Sequence, residues 1–274
     1  MTVGFDGVSV EFGDITALSD VTFSAPAGRV TAVVGGDGSG KTTLLRTLVG
    51  LVPVSSGQVR APAAAEVGYL PAGAGSWKDL TVQENVDFVG YSYGLSGSAL
   101  TLRADELLER AGLIEARQRL ARQLSGGMRT KLGYVLAMLH QPSLLVLDEP
   151  STGVDPVSRV ELWRLISETA ASGATVVMST TYMDEAERTS QVLLLSSGAA
   201  LLFGAPDELI SAMPGTVSRV TGPVEPDHAW RRGPAFHQWW PDGNTVAGEQ
   251  VEPDLADVSI VAELSGLRAS GVAQ

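Results

Sequence analysis

The stretch RVTAVVGGDGSGKTTLLRTL, Arg29–Leu48, sets an apolar run, a glycine-rich turn and a second apolar-rich run in direct succession. The first run reads as a buried strand of a parallel sheet, because a strand covered on both faces has no need of polar alternation. Gly35 to Thr42, GGDGSGKT, fits G-x-x-x-x-G-K-[ST] in the setting that pattern requires, with a strand before it and a helix after it. The glycines let successive backbone N–H groups turn inward as an anion nest, and the helix N-terminus adds partial positive charge. Lys41 supplies a mobile cation for outer phosphates, and Thr42 a hydroxyl for magnesium. A plain glycine turn with an incidental lysine is the competing reading, and the matched strand and helix weigh against it.

Outward from this turn, strands and helices alternate. VSVEF and VTFSA precede it, set off by the turn-formers Ala25-Pro26-Ala27-Gly28. VGYLPAGAG follows as a strand closed by Pro and Gly, and then a mostly helical stretch runs from Val82 to about Gln141. Within it, Leu107, Leu108 and Ala111 recur at helical spacing, as do Leu132, Val135, Leu136 and Leu139. LLVLDEP is a buried strand, VSRVELWRLISETAASG an amphipathic helix stopped at Gly173, and TVVMST a further strand that feeds TYMDEAER. This alternation predicts an α/β fold on a parallel sheet, with the site at the strand carboxyl ends. Past about Pro214 the texture turns rich in Pro, Gly, Trp and Val. Residues 1–213 therefore read as one large domain with a helical subdomain at about 82–141, and 214–274 as a small C-terminal module. Trp230, Trp239 and Trp240 suit the core of that module better than a ligand pocket, and DLADVSIVAEL reads as its closing helix.

Charge and composition narrow the partners. With 19 basic against 31 acidic residues, a net charge of −12 argues against nucleic acid as a partner. No cysteine is present, so a disulfide framework and a thiolate metal site are excluded. The N-terminus MTVGFDGVSVEF has no signal-peptide pattern, and the longest apolar run, VLLLSSGAALLFG, is too short and too broken to cross a bilayer. No direct lipid anchoring is expected, so a link to a membrane would come through another protein.

Two more segments carry chemistry. Asp148 and Glu149 end the LLVLDEP strand where a hard divalent cation is expected beside phosphates: Asp148 as its oxygen ligand, Glu149 to orient and polarise an attacking water. Alone, such a pair often only caps the next helix. In LSGGMRTKLGYVLAMLH, Ser125, Gly126 and Gly127 open a helix whose bare N–H groups form a second anion-binding end.

The order GGDGSGKTT, LSGGMR, LLVLDEP, TGVDP resembles the ATP-binding cassette (ABC) family of transport ATPases over roughly residues 1–212. The resemblance implies a P-loop NTPase fold with ATP and Mg2+ as cofactors, and a head-to-tail dimer. In that dimer the phosphate loop of one chain and the signature segment of the other enclose each nucleotide. Gly35, Gly36, Asp37, Gly38, Ser39, Gly40, Lys41, Thr42 and Thr43 match the phosphate loop, and Phe12 the ring that stacks on adenine. Thr42 and Asp148 match the magnesium side, and Glu149 the catalytic base. Ser125, Gly126 and Gly127 match the signature given to the opposite site, and Asp155 the loop that communicates across the dimer. LSGGMR, TGVDPVSRVELWRLI, TYMDEAER and ENVDFVGYSYG look most like the ATPases of ABC-2 type exporters, especially the first cassette of tandem systems.

Three positions depart from the family pattern. Thr181 stands where the γ-phosphate histidine is usual, Ala72 where a glutamine usually touches magnesium and the water, and Asp37 where asparagine is common. A hydroxyl is shorter than an imidazole and cannot become a cation, and a methyl group ligates nothing. The resemblance with its departures implies an ATPase subunit whose own site is slow and whose signature serves a second, intact ABC ATPase. An integral-membrane permease would complete the complex, with the chain held peripherally at the cytoplasmic face of the cell membrane. The alternatives are a nucleotide switch acting on ribosomes and a regulatory subunit. The former usually has tandem cassettes and basic extensions, which this acidic single cassette lacks.

Overall fold

The computed structural model describes residues 2–73 and 75–266; residues 267–274 of the expected C-terminal module lie outside this range. Strands β1 (Val3–Phe12) and β2 (Ile15–Ala25) form an antiparallel hairpin, followed by β3 (Val30–Val34), helix α1 (Lys41–Leu48) and β4 (Ser56–Arg60), which returns to pair with β1. Next come β5 (Val67–Leu70), the helices α2 (Val82–Ser92), α3 (Gly97–Arg110) and α4 (Gly126–Met138), then β6 (Leu144–Leu147), α5 (Pro156–Ala171) and β7 (Thr175–Thr180). The short α6 (Met183–Ala186), the pair β8 (Gln191–Ser196) and β9 (Ala199–Gly204), and α7 (Pro206–Ser211) complete this part.

These strands join in one sheet of order β4-β1-β2-β9-β8-β3-β7-β6-β5. Its centre, β8-β3-β7-β6-β5, is parallel throughout, as the apolar runs predict. The edge is antiparallel, because β1, β2 and β4 turn back on one another. Every residue of β3, β6 and β7 is buried, and period-two alternation divides their side chains between two layers. Val33, Val146 and Val177 meet Leu44, Leu45 and Leu48 of α1 on one face. Leu145, Leu147, Val176 and Met178 meet Leu132, Leu162 and Ile166 of α4 and α5 on the other. A doubly covered parallel centre leaves its strand ends as the place where polar side chains can gather.

The apolar run VLLLSSGAALLFG folds as the hairpin β8–β9. Ser197 and Gly198 turn it with φ of 48° and 79°, the two left-handed residues of a tight hairpin whose twist matches its strands.

The C-terminal region is an antiparallel sheet of β10 (Thr216–Val220), β11 (Ala229–Arg232), β12 (Ala235–Trp240) and β13 (Glu249–Val251), in the order β11-β12-β10-β13. Trp239 and Trp240 are buried, with their indole N–H groups donating to Pro214 O and Ser218 Oγ, each at 2.8 Å. They are core residues of this region. Helix α8 (Leu255–Ser265) follows, capped by Asp254, whose side chain accepts from Asp257 N at 2.9 Å. On one side Val261 packs with Val217 and Trp239, and on another Leu255 and Ala262 pack with Ala32, Val34 and Leu194 of the large sheet. One helix thus belongs to both cores, so the change of texture near Pro214 marks a change of topology without a gap in packing.

Candidate nucleotide site

The turn between β3 and α1 is shaped by close backbone approach. At Gly40, which caps α1 with φ 105°, a Cβ would stand 2.8 Å from Ala17 O and 2.9 Å from a Leu18 methyl, so no side chain fits. Gly36, Asp37 and Gly38 are exposed at the tip of the loop, Ser39 is buried, and Thr43 is half-buried in the first turn of α1. The buried Ser39 hydroxyl has no hydrogen-bond partner among the described residues.

Lys41 is 5% exposed, and its ammonium curls into the loop. It donates to Gly35 O at 2.9 Å and Gly36 O at 3.0 Å, and stands 3.5 Å from Glu149 Oε1. Thr42 at the start of α1 donates its hydroxyl to Asp148 Oδ1 at 3.2 Å. The other oxygen, Asp148 Oδ2, is buried without a partner among the described residues. A buried carboxylate oxygen left bare beside a threonine hydroxyl fits a hard cation, which takes oxygen ligands. Among the described residues no group of three His, Cys, Asp or Glu could hold a metal. A cation here would therefore need oxygens brought by the phosphates themselves.

Ser179, which the sequence reading did not single out, ties the carboxylates together. Its hydroxyl donates to Asp148 Oδ1 at 2.8 Å and accepts Glu149 N–H at 2.8 Å. The signal lies in the parallel register: Leu147 pairs with Met178, so the residues that follow each, Asp148 and Ser179, leave the sheet side by side. Glu149 has φ 48°, a left-handed backbone that a non-glycine residue adopts only where its surroundings hold it. Thr152 donates to Glu149 Oε2 at 3.3 Å.

The remaining sequence candidates fall around this centre. Val34 pairs with Thr180, so Thr181 leaves β7 beside Gly35, where β3 enters the loop. Thr181 is exposed, and no hydrogen bond of its side chain occurs among the described residues. Ala72 lines a cleft of about 440 Å³ with Asp148, Glu149, Gly126, Lys78 and Arg129. Its methyl group gives that cleft no polar atom. Phe12 is 49% exposed at the end of β1, in the hairpin whose β2 passes Gly40 at Ala17.

Ser125 caps α4, its Oγ accepting Met128 N–H at 3.2 Å. A Cβ at Gly127 would stand 2.4 Å from Ser158 Oγ, and one at Gly126 would stand 3.1 Å from Gly153 O. Ser125–Gly127 therefore packs against the start of α5 and its preceding loop. Asp155 caps α5, accepting the N–H groups of Val157 at 3.1 Å and Ser158 at 3.0 Å. Hydrogen bonds from Ser158 hold its carboxyl below the usual carboxylate range.

The profile of the family described as ABC transporter matches residues 18–152, which reach from β2 to just past Glu149. The chain is 40% identical over 222 residues to the probable multidrug ABC transporter ATP-binding protein YbhF of Escherichia coli, covering 77% of this chain but only 38% of that protein. It is 34% identical over 221 residues to the Nod factor export ATP-binding protein I of Bradyrhizobium diazoefficiens, covering 77% of this chain and 72% of that one. A solved "ATP binding subunit of ABC transporter" superposes with a TM-score of 0.71 at 26% identity, over 77% of this chain and 92% of the other. Fold, loop geometry and these likenesses agree, and the chain belongs to the ABC transporter family of ATP-binding proteins.

Proposed function

We propose that this chain is the ATP-binding subunit of an ABC-2 type membrane exporter and the slow half of an asymmetric pair of ATPases. The observation that carries the asymmetry is a contrast within one site. Lys41, Thr42, Asp148 and Glu149 interlock through direct polar contacts and Ser179, whereas Ala72 and Thr181 supply neither amide nor imidazole.

ATP phosphates entering the loop take the N–H groups of Gly35–Thr43 and the Lys41 ammonium, which exchanges its carbonyl acceptors for phosphate oxygens. Thr42 and Asp148 would hold magnesium, which would neutralise charge on the outer phosphates. Glu149 orients the attacking water and accepts its proton as the new P–O bond forms and the bridging bond to ADP breaks. Thr181 and Ala72 leave that water and the γ-phosphate without two of their usual contacts. Each missing contact costs on the order of 10²–10³ in rate, so the site binds ATP and turns it over slowly. Ser125, Gly126 and Gly127 serve the partner's nucleotide, and Asp155 carries the state of one site toward the other.

Export is supported by the names of the relatives, which speak of multidrug transport and Nod factor export. No helix among the described residues is long and apolar enough to cross a membrane; in this reading the permease is supplied by a partner, which the chain meets at the cytoplasmic face. The helical subdomain offers it an aromatic surface, with Trp77, Phe88, Tyr91 and Tyr93 exposed on and beside α2.

The test is recovery of the chain from gently solubilised native membranes, with its companions identified by mass spectrometry. A second, histidine-containing cassette and a hydrophobic permease are expected. Recovery alone or with ribosomes overturns the transport reading. A purified homodimer of this chain that hydrolyses ATP as fast as intact transport ATPases overturns the slow-site reading.

A further inference from the structure

Asp155 and Thr181 lie on different loops, yet one side chain joins the elements that carry them. Arg159 stands in the first turn of α5, its N–H bonded to Asp155 O at 2.9 Å. Its guanidinium donates from Nη2 to Asp184 Oδ2 at 2.8 Å, meets Glu185 Oε1 from Nε at 3.2 Å, and covers the Tyr182 ring at 4.6 Å. These three partners lie within the four residues that follow Thr181.

Glu185 is fully buried, so its charge needs a cation close by. Its second oxygen accepts the Thr180 hydroxyl at 2.7 Å, and Thr180 Oγ in turn accepts Tyr182 N–H at 3.0 Å. Thr180 and Tyr182 flank Thr181. The backbone of Thr181 is thus held from both sides by a network whose cation comes from α5. Arginine suits this place because its planar fork reaches two carboxylates while its face lies on a ring; a lysine brings charge without fork or plane.

We propose that Arg159 is a positioning residue that locks Thr181 to the Asp155 loop, so that a displacement of that loop reaches the residue beside the phosphate loop. The inference rests on the nucleotide reading above and deepens it: the loop that faces the opposite site and the position that faces this chain's own γ-phosphate move as one body. Arg159 itself bonds no residue of Gly35–Thr43 among the described residues, so it acts through its neighbours.

The chain has no cysteine, so V157C and T181C give it two unique sites for nitroxide labels, both on exposed residues. Pulsed electron paramagnetic resonance reads the distance between them. A narrow distribution is expected with Arg159 in place, one at least about twofold broader in R159A, and an intermediate one in R159K. A residue that merely stabilises the fold would lower the melting temperature in R159A and leave this distribution narrow. An unchanged distribution in both variants overturns the proposal. Where R159A does not fold, R159K, which keeps the charge, decides alone. In the unlabelled chain, the affinity of R159A for a fluorescent Mg-ATP analogue is expected within about threefold of the unsubstituted protein. Loss of binding in R159A alone overturns the positioning role in favour of direct contact. No binding in the unsubstituted chain sinks the nucleotide reading instead, and the distance measurement still judges the lock.

Discussion

Two sets of residues in the candidate nucleotide site are built to different densities. On the side of α1 and β6, Lys41, Thr42, Asp148, Glu149 and Ser179 are each engaged by at least one neighbour in the group. The bare side of the comparison is Ala72 and Thr181, which follow β5 and β7 on either flank of β6: one ends in a methyl group and the other in an exposed hydroxyl. The dense side has what binding a phosphate chain and a cation demands. In the proposed reading, the bare side lacks what holding a reacting phosphoryl group demands, because transition-state stabilisation comes from preorganised polar groups aimed at developing charge. One site can therefore retain affinity while losing speed, and the two properties can be broken separately.

The largest effect is expected from Lys41→Ala. Lys41 is a buried cation with two carbonyl acceptors that phosphate oxygens would replace. Its loss should weaken Mg-ATP binding by ~3 kcal/mol, roughly 100-fold, in a titration with a fluorescent analogue. A loss below tenfold would mean that the dense side is not where the phosphates sit. The complementary change fills the bare side. Thr181→His with Ala72→Gln should raise single-site turnover at least about tenfold while Mg-ATP affinity stays within about threefold. Turnover that does not move, with binding intact, would show that the slow step lies elsewhere.

Much of the dense side was legible in the sequence because each of its parts is local. The strand, turn and helix of Arg29–Leu48 occupy consecutive residues, and Asp148 and Glu149 end an apolar run that could only be a buried strand. Ser179 was not legible in the same way. It lies 31 residues from Asp148, and its role exists only once the parallel register brings Leu147 opposite Met178. The packing of α8 escaped for the same reason, since Leu255 meets Ala32 and Val34 across most of the chain. Trp239 and Trp240 of the C-terminal region read correctly as core, because large amphipathic rings are buried where their N–H groups find an acceptor, whereas Trp230 is only half-buried against the same cluster. The antiparallel sheet they sit in was not read, since its strands are short and its turns lie within a Pro- and Gly-rich texture.

The smallest effects compare two hydroxyls near the end of the same strand. Ser179 is fully buried and serves two partners, so Ser179→Ala leaves Glu149 N–H without its acceptor and removes one of two hydroxyl donors from Asp148 Oδ1. An unsatisfied buried donor costs about 1–3 kcal/mol, and the released Glu149 holds a left-handed backbone that Ser179 helps to fix. The variant should therefore unfold at lower denaturant concentration by ~2 kcal/mol. Thr181→Ala removes an exposed hydroxyl with no hydrogen-bond partner among the described residues, and should change stability by less than about 0.5 kcal/mol. Chemical denaturation of both variants beside the unsubstituted chain decides the matter. A destabilisation by Thr181→Ala as large as that by Ser179→Ala would mean that Thr181 is held by contacts of its own, and that the bare side is a packed one.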